Sequence, residues 1–227
     1  MSDEPRVQVH ADRASLATTV AMRFIAKLID LVEEFGEANV VLTGGTMGEA
    51  VLEAVRTAPN VSAVPWGRVN VWWGDERWLP AGDVERNDTL ARRALLDHIP
   101  VDPARVHPMP ASDGGLDLDA AAIAYEAEIA AAAPSHLSLP PFDIVFLGVG
   151  PDGHVASLFP NADGVQERDR LVIPVRNSPK PPPERLSLTL PVINSSARVW
   201  MVLAGADKAS ALGLALAGAS IDEVPVA

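Results

Sequence analysis

One histidine stands apart from the other four. His154 closes the stretch Gly148-Val149-Gly150-Pro151-Asp152-Gly153-His154, directly after the apolar run Phe142 to Leu147. A neutral imidazole on such a loop can take a proton from water while a carboxylate holds its other nitrogen. Asp152 is the nearest candidate for that carboxylate. The bland alternative is a histidine that caps a helix or is bonded for structure only. His10, His98, His107 and His136 fall in polar loops or on helix surfaces and read as inert.

Two other loops carry unusual residues. Asp75-Glu76-Arg77 follows Trp72-Trp73-Gly74 at the end of an apolar run, where three consecutive charges are hard to explain by packing. A carboxylate and a cation at a strand end can be aimed into a cleft; the alternative is a solvated turn in which they pair. Thr43-Gly44-Gly45-Thr46 offers two glycines before a helical segment. Glycine lets backbone approach a ligand closely, and a helix N-terminus points N–H groups outward, which suits a phosphate and equally a plain tight turn. Arg185 and Lys208 are two further cations. For Arg185 the functional and surface readings are close, and for Lys208 the surface reading is the default.

Some chemistries are excluded. Gly148-x-Gly150-x-x-Gly153 formally matches a dinucleotide fingerprint. Asp152 would repel a pyrophosphate there, His154 stands where a small residue should let the helix pack, and too little chain follows for two nucleotide-binding halves. There is no Gly-x-Ser-x-Gly elbow, and nothing marks Ser157 as a nucleophile. No His-Glu-x-x-His or similar ligand spacing occurs, so a metal on Asp75, Asp152 and His154 has no support.

These residues must be positioned by an alternation of helices and short apolar strands. Asp12 or Ser15 caps a first helix whose apolar face holds Leu16, Val20, Ile25, Leu28, Leu31, Val32 and Phe35, and Gly36 stops it. Strands are expected at 39–43, 69–73, 142–147 and 198–203, with 171–175 and the alternating run 186–190 as further candidates. Helices are expected at 47–57, 86–98, 118–133 and 206–217. The pattern predicts one α/β domain, a mostly parallel, Rossmann-like sheet in three α/β/α layers with helices on both faces. Ligands of such sheets bind beyond the C-terminal strand ends, where all three loops fall.

Composition narrows the partners. The chain has 227 residues, 48% of them apolar, with 18 Lys and Arg against 30 Asp and Glu, for a net charge of -12. That balance argues against nucleic acid. No cysteine is present, which removes thiolate chemistry and fits a reducing cytosol. No apolar run reaches a transmembrane length and the N-terminus lacks the form of a signal peptide, so a cytoplasmic protein with no membrane partner is expected.

Taken together, the segments resemble the 6-phosphogluconolactonase family, related to the glucosamine-6-phosphate isomerases. The stretches that carry the resemblance are Leu42 to Thr46, Trp73 to Pro80 with Asn87, Leu147 to Pro160, Arg185 to Pro191 with Ile193-Asn194, and Gly205 to Ala209. The resemblance implies hydrolysis of 6-phospho-D-glucono-1,5-lactone to 6-phospho-D-gluconate in the oxidative pentose phosphate pathway, with no metal or organic cofactor. It implies that His154 activates water, that Asp152 orients it, and that Thr43, Gly44, Gly45, Thr46, Arg77, Arg185 and Lys208 hold the phosphate and the developing oxyanion. Asp75, Glu76, Asn87 and Gly153, in the same stretches, complete the implied substrate-contacting set. A monomer is expected, with a dimer as the alternative.

The isomerase relatives are the nearest rival, and a non-catalytic sugar-phosphate binding module is another. Isomerisation needs a second acid/base group. The isomerase pattern places a Glu a few residues after the His, where this chain reads Ser157-Leu158-Phe159-Pro160 and offers no carboxylate before Asp163. The glycine turn, Thr-Gly-Gly-Thr-Met-Gly, also departs from the family's common Ser-Gly-Gly-Ser-Thr-Pro, but keeps its hydroxyls. Relatives usually continue into one more strand beyond the last helix, so residues 1–227 read as a single domain lacking that strand.

Overall fold

The structure is a computed structural model and describes residues 5–227. Helix α1 (Arg13–Phe35) begins at Asp12, whose carboxylate accepts from the Ser15 N–H at 2.8 Å while the Ser15 hydroxyl accepts from the Asp12 N–H. This reciprocal cap satisfies donors that a helix start otherwise leaves open. Gly36 ends the helix at φ 84°, a left-handed turn that glycine adopts freely. The buried face is Ala17, Ala21, Phe24, Ile25, Leu28 and Leu31. Phe35 was expected on that face but is exposed, in the last turn where the chain reverses.

Strand β1 (Ala38–Leu42) is fully buried and lies between β2 (Val69–Trp73) and β4 (Ile144–Leu147), with β7 (Val199–Met201) outside β4; all four run parallel. Helices cover both faces, as the sequence pattern requires. In register Val41 pairs with Trp72 and with Val145, so these share one face, and Phe146 points to the other. On that other face Phe146 meets Phe24 of α1 edge-on at 5.1 Å. Trp72 meets Tyr125 of α4 (Leu118–Ala132) at 6.1 Å, and the Tyr125 hydroxyl accepts from the Trp73 N–H. Helix α2 (Gly45–Thr57) packs along α1.

A second sheet was not expected as such. Its strands β3 (Asp75–Arg77), β6 (Arg185–Leu188) and β5 (Val172–Val175) are antiparallel, in the order β3-β6-β5. Sequence pattern reads 75–77 as a loop because three charged residues show no apolar alternation. They become a strand only through pairing with β6, more than a hundred residues away in sequence. Gly74 joins the two sheets: its N–H donates to Leu42 O of the parallel sheet, and its carbonyl accepts from the Leu188 N–H of the antiparallel one.

Of the remaining helices, α3 (Asn87–Ala94), followed by a separate 3-10 turn at 96–98, and α6 (Ala206–Leu216) are shorter than expected, and α5 (Leu190–Asn194) was not expected. Among the described residues, no helix is long and apolar enough to cross a membrane.

Candidate active site

A cleft of about 230 Å³ opens at the C-terminal ends of all four parallel strands. Each end contributes backbone and side chains, and the second sheet supplies a wall.

After β1, Thr43, Gly44, Gly45 and Thr46 line the cleft and lead into α2. Gly44 precedes a helix start that no side chain caps, so the first N–H groups of α2 are open to an anion. A Cβ on Gly44 would stand 1.8 Å from Asn87 Oδ1, so the turn and Asn87 fit together only with glycine there. Arg13 closes the outer rim by donating to the Thr46 carbonyl.

After β2, strand alternation sorts the charged triplet. Asp75 and Arg77 face the cleft and Glu76 faces away. Glu76 therefore does not contact the cleft, contrary to the expectation from the resemblance. Its carboxylate accepts from the N–H groups of Arg77 at 2.8 Å, Asn87 at 2.7 Å and Asp88 at 2.9 Å, and lies 3.7 Å from Arg86. Burial pushes this carboxyl up to about 7, against the opposing pull of Arg86 and the three N–H donors. Arg86, which sequence reasoning passed over, is buried and bonds Asp88 and the carbonyls of Leu79 and Met109. Together the two fix the strand that carries Asp75 and Arg77. Asn87 donates to the Asp75 carbonyl at 2.8 Å, while its Oδ1 and the buried Nε of Arg77 have no protein partner among the described residues. Asp75 is held from below by the Ser157 hydroxyl at 2.7 Å, which gives Ser157 a supporting place in the site.

After β4, the chain folds into a tight loop: Gly150 N–H donates to His154 O, and Gly153 N–H to Gly150 O. The His154 ring lines the cleft and leans on Phe159, with centroids 4.7 Å apart. Its Nδ1 lies 2.5 Å from Asp152 Oδ1, and its Nε2 has no protein partner among the described residues. A Cβ on Gly150 would fall 2.1 Å from the His154 ring, so the loop needs glycine at that point. Gly153 (φ +80°) makes the turn possible but packs on Val224, outside the cleft, and this too departs from the expectation. Burial pulls the His154 imidazole below its ordinary value, against the raising effect of Asp152. Burial raises the Asp152 carboxyl, but His154 and Lys180 outweigh it and leave it below the usual carboxylate range. The pair is thus a neutral imidazole beside an ionised carboxylate. A carboxylate only accepts, so Nδ1 carries the proton and Nε2 is the bare nitrogen.

The positive wall comes from elsewhere. Arg185 on β6 is buried, sits over Phe159, and donates through Nε and Nη2 to the carbonyls of Pro182, Lys180 and Pro181. It stands directly opposite Arg77 in the β3–β6 register. Like charges at such positions repel, which a bound anion would relieve. Lys208, on α6 beyond β7, reaches the cleft with Nζ on the Ala204 carbonyl at 3.2 Å. Lys180 also lines the cleft and was missed. The available signal was Lys180-Pro181-Pro182-Pro183, a stiff run just before Arg185. Four cations therefore converge against one lining carboxylate, Asp75, in a protein of net charge -12. Such a cleft concentrates small anions despite an acidic exterior. Among the described residues no group of three or more His, Asp and Glu gathers as metal ligands. Outside the cleft, His107 stacks on Trp72 at 3.9 Å and bonds Glu128.

The sequence of residues 11–227 matches the model of the glucosamine-6-phosphate isomerases/6-phosphogluconolactonase family. A 6-phosphogluconolactonase of Streptomyces coelicolor is 52% identical over 231 residues, covering 100% of this chain and 88% of that protein. One from Mycobacterium leprae is 44% identical, covering 97% and 90%. The crystal structure of 6-phosphogluconolactonase from Thermotoga maritima superposes with a TM-score of 0.80 at 28% identity, covering 93% of this chain and 88% of that one.

Proposed function

This chain belongs to the glucosamine-6-phosphate isomerase/6-phosphogluconolactonase family, and from that premise we propose a mechanism for its lactone hydrolysis in the pentose phosphate pathway. The substrate is 6-phospho-D-glucono-1,5-lactone and the product 6-phospho-D-gluconate. The observation that carries the mechanism is His154: Nδ1 is held by Asp152 at 2.5 Å, and Nε2 is bare on a cleft lined by four cations.

Water attacks the lactone carbonyl carbon as Nε2 takes one of its protons, and the carbonyl electrons move onto oxygen. The Asp152 carboxylate stabilises the imidazolium that forms. The oxyanion then collapses, the bond to the ring oxygen breaks, and His154 returns its proton to that oxygen. The N-terminus of α2 with Thr43 and Thr46, and the side chains of Arg77, Arg185 and Lys208, hold the phosphate and the oxyanion. Arg77 Nε and Asn87 Oδ1 are buried beside the cleft without protein partners among the described residues. Isomerisation would need a second acid/base group on the His154 side; there Ser157 is buried and committed to Asp75.

The partner we propose is a small phosphorylated lactone, bound by a cytoplasmic monomer. The acidic exterior speaks against nucleic acid as a further partner. Purified protein should accelerate loss of the lactone above its spontaneous hydrolysis, read by coupled oxidation of the 6-phosphogluconate formed. Binding of 6-phosphogluconate with no acceleration would overturn the proposal.

A further inference from the structure

Lys180 differs from the other cations of the cleft. Arg185 is pinned to three carbonyls, Arg77 donates to the Glu85 carbonyl, and Lys208 to the Ala204 carbonyl. The Lys180 ammonium bonds none. It lies 3.2 Å from His154 Nδ1 and 3.5 Å from Asp152 Oδ1, on a side chain 40% exposed. Its backbone is fixed, with the carbonyl accepting from Arg185 Nη2 at 3.0 Å and from the Ser178 hydroxyl at 2.8 Å. Lys180 is therefore a partly exposed arm, held by no carbonyl, on a fixed mount.

Where that arm rests matters. A neutral imidazole has one N–H, and Asp152 Oδ1 accepts it. An ammonium has only donors, so it cannot also bond that protonated nitrogen. It leans instead on the oxygen Asp152 already uses. A second proton on the ring would create a cation with the ammonium 3.2 Å from Nδ1. Like charge at that range disfavours imidazolium, and sharing the carboxylate weakens what Asp152 offers.

We propose that Lys180 is a positioning residue that restrains the base strength of His154 in the free protein and releases it when an anionic substrate draws the ammonium away. The phosphate dianion is the natural attractor: Arg77, Arg185 and Lys208, each steadied by a carbonyl, place it in the cleft, and the Lys180 ammonium has no carbonyl bond to give up among the described residues. His154 then becomes the stronger base only with substrate in place, so the unliganded site does not accumulate an inactive imidazolium. The charged groups facing His154 are Asp152 on its own loop, Lys180 on the proline-rich loop and Asp75 on β3. Arg185 lies beyond the Phe159 ring, and the C-terminal segment packed on Gly153 presents Val224 and Val226. Of these groups, only Lys180 is both cationic and unpinned.

This proposal rests on His154 being the base, and the test separates the two. The His154 ring is titrated by NMR, its signals identified by their loss in His154→Gln, with and without inorganic phosphate. In Lys180→Met the free-protein midpoint should rise by about one pH unit, and the further rise caused by phosphate should be smaller than in wild type. Lys180→Arg should keep the wild-type midpoint. The acid limb of kcat/KM should move up with the NMR midpoint in Lys180→Met. Equal midpoints in wild type and Lys180→Met, or an undiminished phosphate effect, would overturn the role of Lys180. An NMR shift without any movement of the kcat/KM limb would instead overturn His154 as the base. If Lys180→Met does not fold, Lys180→Gln carries the same test.

Discussion

Glu76 with Arg86, and Asp152 with His154, are both a carboxylate beside a nitrogen base, yet their surroundings differ at every point. The Glu76 and Arg86 side chains are 1% and 2% exposed, and both Glu76 oxygens accept from N–H donors. The Asp152 and His154 side chains are 35% and 16% exposed, and one ring nitrogen has no protein partner among the described residues. The first pair is saturated and can only hold its strand in place. The second is unfinished, and the missing contact points into the cleft. Burial with every bond made marks structure; partial burial with one bond open marks chemistry.

That contrast is sharpest under mutation. His154→Ala should lower kcat by about 10² to 10⁴ with a melting temperature near wild type, since the general base is lost and little packing depends on it. Turnover within a fewfold of wild type would erase the distinction. Glu76→Ala should do the reverse: removal of one partner from a buried pair costs about 3–5 kcal/mol of stability, read as a lowered denaturant midpoint. A loss under about 1 kcal/mol would mean that the carbonyl bonds of Arg86 suffice to hold it.

Gly150→Ala tests how tightly the open pair is placed. The added methyl would stand 2.1 Å from the His154 ring, and displacing a reacting group by about 1 Å can cost up to about 10² in rate. An unchanged kcat would show that the ring has slack. The pH profile follows from the depressed imidazole. The base works when neutral, and burial holds it below its ordinary value of 6.5. kcat/KM should therefore reach its plateau already near pH 6.5 and fall about tenfold per unit only below the depressed value. An acid limb centred above 6.5 would contradict the burial of His154. Smallest is Lys208→Met, which should raise KM about fivefold and leave kcat nearly unchanged, because the phosphate it grips does not react. A drop in kcat alone would place Lys208 at the oxyanion.

Much of this was legible in the residues. The four parallel strands showed as short apolar runs, and glycine clusters after β1 and β4 and a charged triplet after β2 marked three of the four strand ends that build the cleft. The fourth end, after β7, was marked only by the family resemblance, because Val202 and Leu203 contribute little beyond shape and Lys208 alone reads like any surface lysine. Glu76 was misplaced because a loop has no alternation; once 75–77 is a strand, its middle residue must point away from its neighbours. Arg86 and Lys180 escaped for one reason. Their roles are set by carbonyls and carboxylates brought near by folding; Arg86 carries no trace of this in sequence, and Lys180 only the stiff proline run that follows it.

The opposition of Arg77 and Arg185 across β3 and β6 has a consequence for the living molecule. Like charges directly opposite on paired strands lower the stability of the fold, and a dianion bound only by the folded state raises it by about 2.7 kcal/mol at a hundred times its dissociation constant. A bound phosphorylated ligand should therefore protect this fold against unfolding and proteolysis.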